Sequence, residues 1–136
     1  MLIDANVVFY ATGGPHAYKR PCLQILLDAA RGELEANVDV EVFQEVLHAY
    51  SLRGERKRGL STFDDLLVTF PTPIPIERED ILGARMLMER HAGLSARDAI
   101  HAAVVLNHGL EAIISADRAF DQILEIKRLD PLELYP

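Results

Sequence analysis

The chain has 136 residues, 49% of them hydrophobic, which predicts a single domain over 1–136 with enough apolar material for its own core. A formal charge of -7 excludes a protein that holds nucleic acid by overall basicity, yet admits a nuclease that concentrates acids around divalent cations. Cys22 is the only cysteine, and there is neither an export signal nor a run of about eighteen uninterrupted apolar residues, so a cytoplasmic protein without disulfide or membrane span is expected.

The opening Met1-Leu2-Ile3 reads as a strand that ends at Asp4, followed by a short helix over Val7 to Ala11 and the breaker Gly13-Gly14-Pro15. From His16 to Arg31, Cys22, Ile25, Leu26, Ala29 and Ala30 keep helical spacing, with Gly32 as the stop. Leu34 to Val38 predicts a second strand, and Val42, Val46, Leu47 and Tyr50 mark an amphipathic helix that carries Glu45 and ends at Gly54. The only basic cluster, Arg53 to Arg58, is framed by glycines and reads as a solvated loop, with contact to phosphates as the other reading. A helix from Ser61 to about Phe70 follows. Pro71, Pro73 and Pro75 forbid helix and leave Ile74 to Ile76 as an edge strand.

Helical spacing returns from Glu77 to His91, and Ser95 caps a further helix that runs to Gly109, with Asp98 in its first turn. The last third reads as a strand over Ala112 to Ser115, a turn or short helix at Asp117 to Asp121, and a strand over Leu124 to Leu129 closed by Pro131. Strands alternating with helices predict an α/β fold with a central, mostly parallel sheet flanked by helices.

Four acids stand out by position. Asp4 and Asp117 follow apolar runs, Asp98 opens a helix, and Glu45 lies inside one. Parallel α/β sheets hold their ligands at the carboxyl ends of the strands, so one shared pocket is expected. Clustered carboxylates repel one another and raise at least one pKa unless a cation joins them, and oxygen-only donors suit Mg²⁺ or Mn²⁺. Taken singly, each acid also has a structural reading as a strand end, a helix cap or a solvated side chain.

The segments Leu2-Ile3-Asp4-Ala5-Asn6-Val7-Val8, Gln44-Glu45-Val46-Leu47, Leu94 to Ala103 and Ile114 to Asp121 resemble, in order, the acidic motifs of PIN-domain ribonucleases, and most nearly those of VapC-type toxins. The resemblance covers essentially the whole chain. It implies that Asp4, Glu45, Asp98 and Asp117 bind Mg²⁺ or Mn²⁺ and serve catalysis, supported by Asn6 and Ser115, with Asp121 as an additional acid near the pocket. The family often places a hydroxyl residue after the first aspartate, and Ala5 stands there instead. The implied activity is metal-dependent hydrolysis of RNA phosphodiesters, with Arg97 and Arg118 placed to contact phosphate. A VapB-type antitoxin is the implied partner, its groove expected between the Glu45 helix and the next, lined by Val46, Leu47, Tyr50, Leu60 and Phe63. Homodimerisation is implied as well.

Three rivals were weighed. Glu45 with His48 and Asp98 with His101 have the three-residue spacing of di-iron bundles, but that fold needs four long helices with little strand, and glycines and prolines divide this chain. His101 is expected beside the pocket and His48 on the outer side of its helix. A phosphoacceptor role for Asp4 wants a paired acid where Asn6 stands, and Lys127 is the only late lysine. A non-catalytic PIN-like scaffold that binds RNA or protein is the alternative from another functional class.

Overall fold

In the computed structural model, which describes residues 1–136, three short parallel strands lie in the order β1 (Leu2–Ile3), β2 (Ala112–Ile114), β3 (Lys127–Leu129). The register pairs Leu2 with Ile113 and Ile113 with Arg128. Two isolated parallel bridges, Leu2 with Asn37 and Asp39 with Ile74, widen the sheet on the far side of β1.

The expected strands Leu34–Val38 and Ile74–Ile76 shrink to those bridges, for local reasons. The Leu34 amide donates to Asp28 O and the Ala36 amide to Leu34 O, so this stretch is spent turning the chain. Pro73 and Pro75 carry no N–H, which leaves Ile74 alone to donate, to Val38 O at 2.9 Å. The expected strand Leu124–Leu129 likewise begins only at Lys127, because the Ile126 amide turns back to Ile123 O.

Seven α-helices surround the sheet: α1 (Ala5–Thr12), α2 (Lys19–Ala30), α3 (Val40–Leu52), α4 (Arg56–Thr69), α5 (Arg78–Arg90), α6 (Ala96–Asn107) and α7 (Pro131–Leu134). Their starts carry visible chemistry. Asp39 accepts from the Val42 amide, Ser95 from the Asp98 amide and Asp130 from the Leu132 amide, while Glu77 and Asp80 form a capping box. Pro131 therefore opens a helix at its first position instead of ending the fold. Gly32, Gly54 and Gly109 follow helices with φ of 72°, 72° and 62°, the left-handed stop that favours glycine.

The basic cluster is not a loop. Arg56, Lys57 and Arg58 form the first turn of α4, and Gly59 sits inside that helix. A Cβ at Gly59 would lie 2.8 Å from Tyr50 Cβ, so the glycine is what lets α4 close on α3. Along that contact Val46 and Tyr50 are buried, Leu47 and Phe63 are half-buried, and only Leu60 of the expected groove walls is exposed.

Successive strand residues point to opposite faces, and each face has its own core. Ile3 and Ile114 join Val7, Val8, Val42, Val46 and Tyr50, whereas Leu2 and Ile113 join Ala99, Ala102, Val105 and Phe120. No helix is long and apolar enough to cross a membrane.

Candidate active site

Asp4 follows β1 and Ser115 follows β2, and the pairing that continues past the strands holds them side by side. The Asp4 amide donates to Ile114 O at 3.1 Å and the Ser115 amide to Leu129 O at 3.1 Å. Asp4 then caps α1 without a side-chain hydrogen bond to it, so its carboxylate is free to turn into the pocket.

There Asp4 Oδ2 accepts from Ser115 Oγ at 2.6 Å and from Asn6 Nδ2 at 2.7 Å. Asn6 also donates to Ser115 Oγ at 2.9 Å, and its Oδ1 accepts from the Ala116 amide at 3.3 Å. The hydroxyl that Ala5 lacks thus reaches Asp4 from the other strand. Ser115 Oγ further accepts from the Asp117 amide at 3.0 Å, which sets the turn carrying Asp117.

The second anchor is His101 on α6, fully buried between acids from α3 and its cap. Its Nδ1 lies 2.6 Å from Asp39 Oδ2 and its Nε2 lies 2.7 Å from Glu45 Oε1 and 3.7 Å from Asp4 Oδ1. An imidazolium donates to both neighbours at once. Burial works against that charge, but the hydrogen bonds from Asp39 and Glu45 outweigh it and hold the His101 pKa well above its ordinary value.

Asp98 lies one turn before His101 on α6, half-buried. Burial pushes its carboxyl up, Ser95 opposes, and the charges of Asp117 and Glu45 push it further. Burial also raises Asp4, to about 6, against the opposing His101 and Ser115 and with the help of Glu45 and Asp98. Glu41, one turn before Glu45 on α3, is raised by burial first and then by Glu45. The geometry links Asp4 with Glu45 through His101 and with the Asp117 turn through Ser115, while Asp98 lies one turn from His101 on α6 and Glu41 one turn from Glu45 on α3.

Asp121 does not point into this pocket. It takes Arg128 Nε at 2.7 Å and Nη2 at 3.3 Å, while Arg128 Nη1 donates to Ser115 O at 2.9 Å and Asp130 Oδ2 at 3.1 Å. Asp121 therefore bears on the site only through Arg128 and the Ser115 backbone. Arg97 lies 3.9 Å from Glu41, whereas Arg118 is exposed with no carboxylate within ion-pair range. His48 is exposed on the outer side of α3.

Asp39, Glu41 and Arg128 were not singled out from sequence. Glu41 had a signal in its four-residue spacing to Glu45 on one helix face. Asp39 and His101 are 62 residues apart, and only the fold brings them together.

The donor set suits a hard cation. Asp4 Oδ1, Glu45 Oε2 and Asp117 Oδ2 make no hydrogen bond to protein, and no buried side-chain oxygen lacks a partner, so these atoms reach solvent. Both nitrogens of His101 are occupied by carboxylates, and Cys22 is buried in the core on the other side of α1. No three His, Cys, Asp or Glu side chains make a ready cage for an ion. The fit therefore rests on donor chemistry alone: Mg²⁺ takes one or two carboxylates directly and keeps several waters.

The PIN domain family model matches residues 1–125. The chain is 36% identical over 129 residues to Ribonuclease VapC13 of Mycobacterium tuberculosis, across 95% of this chain and 98% of that one. It is 34% identical over 120 residues to Ribonuclease VapC23 of the same species, across 86% and 92%. Among solved structures, FitAcB from Neisseria gonorrhoeae superposes with a TM-score of 0.68 at 18% identity, over 96% of this chain and 97% of that one. A toxin-antitoxin complex from Klebsiella pneumoniae gives 0.65 at 20% identity, over 96% of each chain. Those two likenesses concern the fold. With the family model and the sequence relatives spanning nearly its whole length, this chain belongs to the PIN-domain family, among the VapC ribonucleases.

Proposed function

We propose that this protein is an endoribonuclease that hydrolyses RNA phosphodiesters with Mg²⁺ or Mn²⁺ held by Asp4, Glu45, Asp98 and Asp117. The observation that supports this reading is the linkage of Asp4 to Glu45 through His101 and to the Asp117 turn through Ser115, with an oxygen of Asp4, Glu45 and Asp117 each left free of protein hydrogen bonds.

The residues divide the work. Ser115 and Asn6 fix Asp4 through Oδ2 and leave Oδ1 for a ligand, and His101 fixes Glu45 through Oε1 and leaves Oε2. When bound, Mg²⁺ or Mn²⁺ supplies Lewis-acid stabilisation of the charge that grows on the phosphate oxygens and lowers the pKa of an attacking water. Arg118, free of any carboxylate, is placed to meet a flanking phosphate with paired hydrogen bonds.

A VapB-type antitoxin is the partner in this reading. Support comes from the sequence relatives, which are VapC ribonucleases, and from exposed Leu60, Leu67 and Val68 on α4, an apolar surface outside the core.

The test is cleavage of total cellular RNA by antitoxin-free protein with Mg²⁺, with Mn²⁺ and with EDTA, the 5′ ends of the products being read. Discrete fragments with 5′-phosphates that vanish with EDTA and with Asp98→Asn are expected, the variant keeping the parental circular dichroism. Cleavage that survives Asp98→Asn removes the acid from the mechanism, and no cleavage by folded, cation-bound protein transfers the protein to the scaffold class.

A further inference from the structure

Beyond the acids, three aromatic rings at the rim of the core form a group of their own, two of them packed against that core and the third exposed. Tyr10 near the end of α1, His16 in the following turn and Tyr18 just before α2 have centroids 4.6 Å, 5.0 Å and 5.7 Å apart. All three pairs are near parallel, at 28°, 23° and 25°. Rings this close and this near parallel overlap in offset stacking, Tyr10 against both His16 and Tyr18, and form one compact aromatic group, the tile, whose solvent-facing member is His16. Packing alone rarely aligns three rings this way, because aromatic pairs in cores are as content edge to face.

Local structure builds the tile. The Gly13 amide closes α1 on Phe9 O, Gly13-Gly14-Pro15 reverses the chain, and the Lys19 ammonium donates to Gly13 O across the reversal. The Tyr18 amide donates to His16 Nδ1 at 3.2 Å, which orients the imidazole. His16 is exposed, and Tyr10 and Tyr18 are half-buried with their inner edges against the core.

The tile borders an open cavity of about 300 Å³ lined by Phe9, Tyr10, Gly13, Pro15, His16 and Arg53. Arg53 has no carboxylate partner and lies over the rings of Phe9 and Tyr50, at 5.9 Å and 5.6 Å from their centroids. Arg58 stands over Tyr50 as well, 5.2 Å from its centroid, and is paired with Glu55, which leaves Arg53 as the cation of the cavity lining without a carboxylate partner.

Its place relative to the acids is fixed twice. Tyr10 is four residues after Asn6 on α1, one helical turn or about 6 Å further along the same face. Tyr18 Oη donates to Asp130 Oδ2 at 3.0 Å, and Arg128 joins Asp130 to Ser115 O, so a short hydrogen-bonded path leads from the tile to the residue that holds Asp4.

Resting on the ribonuclease reading above, we propose that Tyr10, His16 and Tyr18, with Arg53, are a binding site for a base of single-stranded RNA next to the scissile phosphate. The base stacks on the tile and Arg53 meets the adjoining phosphate. A solvent-facing aromatic ring beside a guanidinium without a carboxylate partner is the chemistry by which proteins hold unpaired bases, and the site is tolerant of base identity because every base has a π face.

The experiment measures fluorescence anisotropy of a labelled short oligoribonucleotide of mixed sequence, and of a series carrying one abasic residue at each position, with the Asp98→Asn protein as the cleavage-free parent. Because His16 is exposed, His16→Ala leaves the fold intact. It is expected to weaken binding about 5- to 150-fold, the range for one stacked base, without changing the salt dependence. Arg53→Ala is expected to weaken binding and to flatten the salt dependence, as the loss of a phosphate contact does. Tyr10→Phe, which keeps the ring, should bind as the parent does. The His16→Ala penalty should vanish when one particular position is abasic.

Unchanged affinity in His16→Ala, or a penalty that persists at every abasic position, overturns the proposal while leaving the ribonuclease reading standing. RNA binding as the parent together with loss of a basic antitoxin peptide assigns the tile to a protein partner and overturns it too. If the Asp98→Asn protein binds no RNA and the parent cleaves none, the ribonuclease reading and the tile fall together.

Discussion

The two anchored acids of the pocket, Asp4 and Glu45, are held by opposite means. Asp4 is gripped by neutral donors, the Ser115 hydroxyl at the end of β2, whose backbone is paired with β3, and the Asn6 amide in the first turn of α1. Glu45 is gripped by an imidazole that reaches from α6 to α3 and is braced behind by the buried Asp39. In the first arrangement burial is the main cause and raises the carboxyl to about 6, with the His101 charge, 3.7 Å from Asp4 Oδ1, offsetting it only in part. The second supplies the charge from within. The lesson is that an acidic pocket can be prepared for a cation at one corner while carrying an internal cation at the other.

Substitutions can break or sharpen that contrast. The largest effect is expected from His101→Leu, which strands Asp39 and Glu45 as unpaired buried or half-buried carboxylates. Removing one partner of such a group costs about 3–5 kcal/mol, which urea denaturation of the metal-free protein reads directly. Ser115→Ala should be milder, about 1–3 kcal/mol, since it removes a neutral donor and leaves Asn6 in place. Equal losses in the two variants would show that the corners are alike and that the charge on His101 contributes nothing.

The smallest effect concerns pH, at a third acid on the same sheet edge. Burial pushes Asp130 up, but the Leu132 amide, Arg128 and Tyr18 more than offset it and hold its carboxyl below the ordinary 3.8. A carboxyl depressed in the folded state contributes stability that is present above its unfolded pKa and lost as pH falls through the folded value. Thermal melts of Asp130→Asn and the parent should therefore converge as pH falls below about 3.8, the parent having lost its advantage. A constant gap down to the acid limit would mean that Asp130 acts only by packing.

How much of this could be read beforehand depended on how local the cause was. The positions of Asp4 after a strand and Asp98 in the first turn of a helix were legible from the bordering apolar runs and Ser95, and the stops at Gly32, Gly54 and Gly109 because φ near +60° to +70° is a glycine property. The start of α4 was hidden, since Arg53 to Gly59 has the composition of a loop and only the close approach to Tyr50 explains a glycine inside a helix. The outer strands were overread, because apolar content at Leu34 to Val38 and Ile74 to Ile76 says nothing of amides already committed to turns or missing from prolines. His101 was placed beside the pocket, but its bracing by Asp39 spans 62 residues and has no sequence pattern.

The register of the sheet has a consequence for the life of the molecule. Leu2 pairs with Ile113, so β1 is among the first parts of the chain to be made and its partner, the central strand β2, among the last. Domains are synthesised from the amino end, and pairings across so long an interval form late. A growing polypeptide therefore carries Asp4 and Glu45 well before Ser115 and Asp117 exist to complete the pocket. The sheet thus closes only when the final segment is made, which gives a partner produced alongside the chain time to be present.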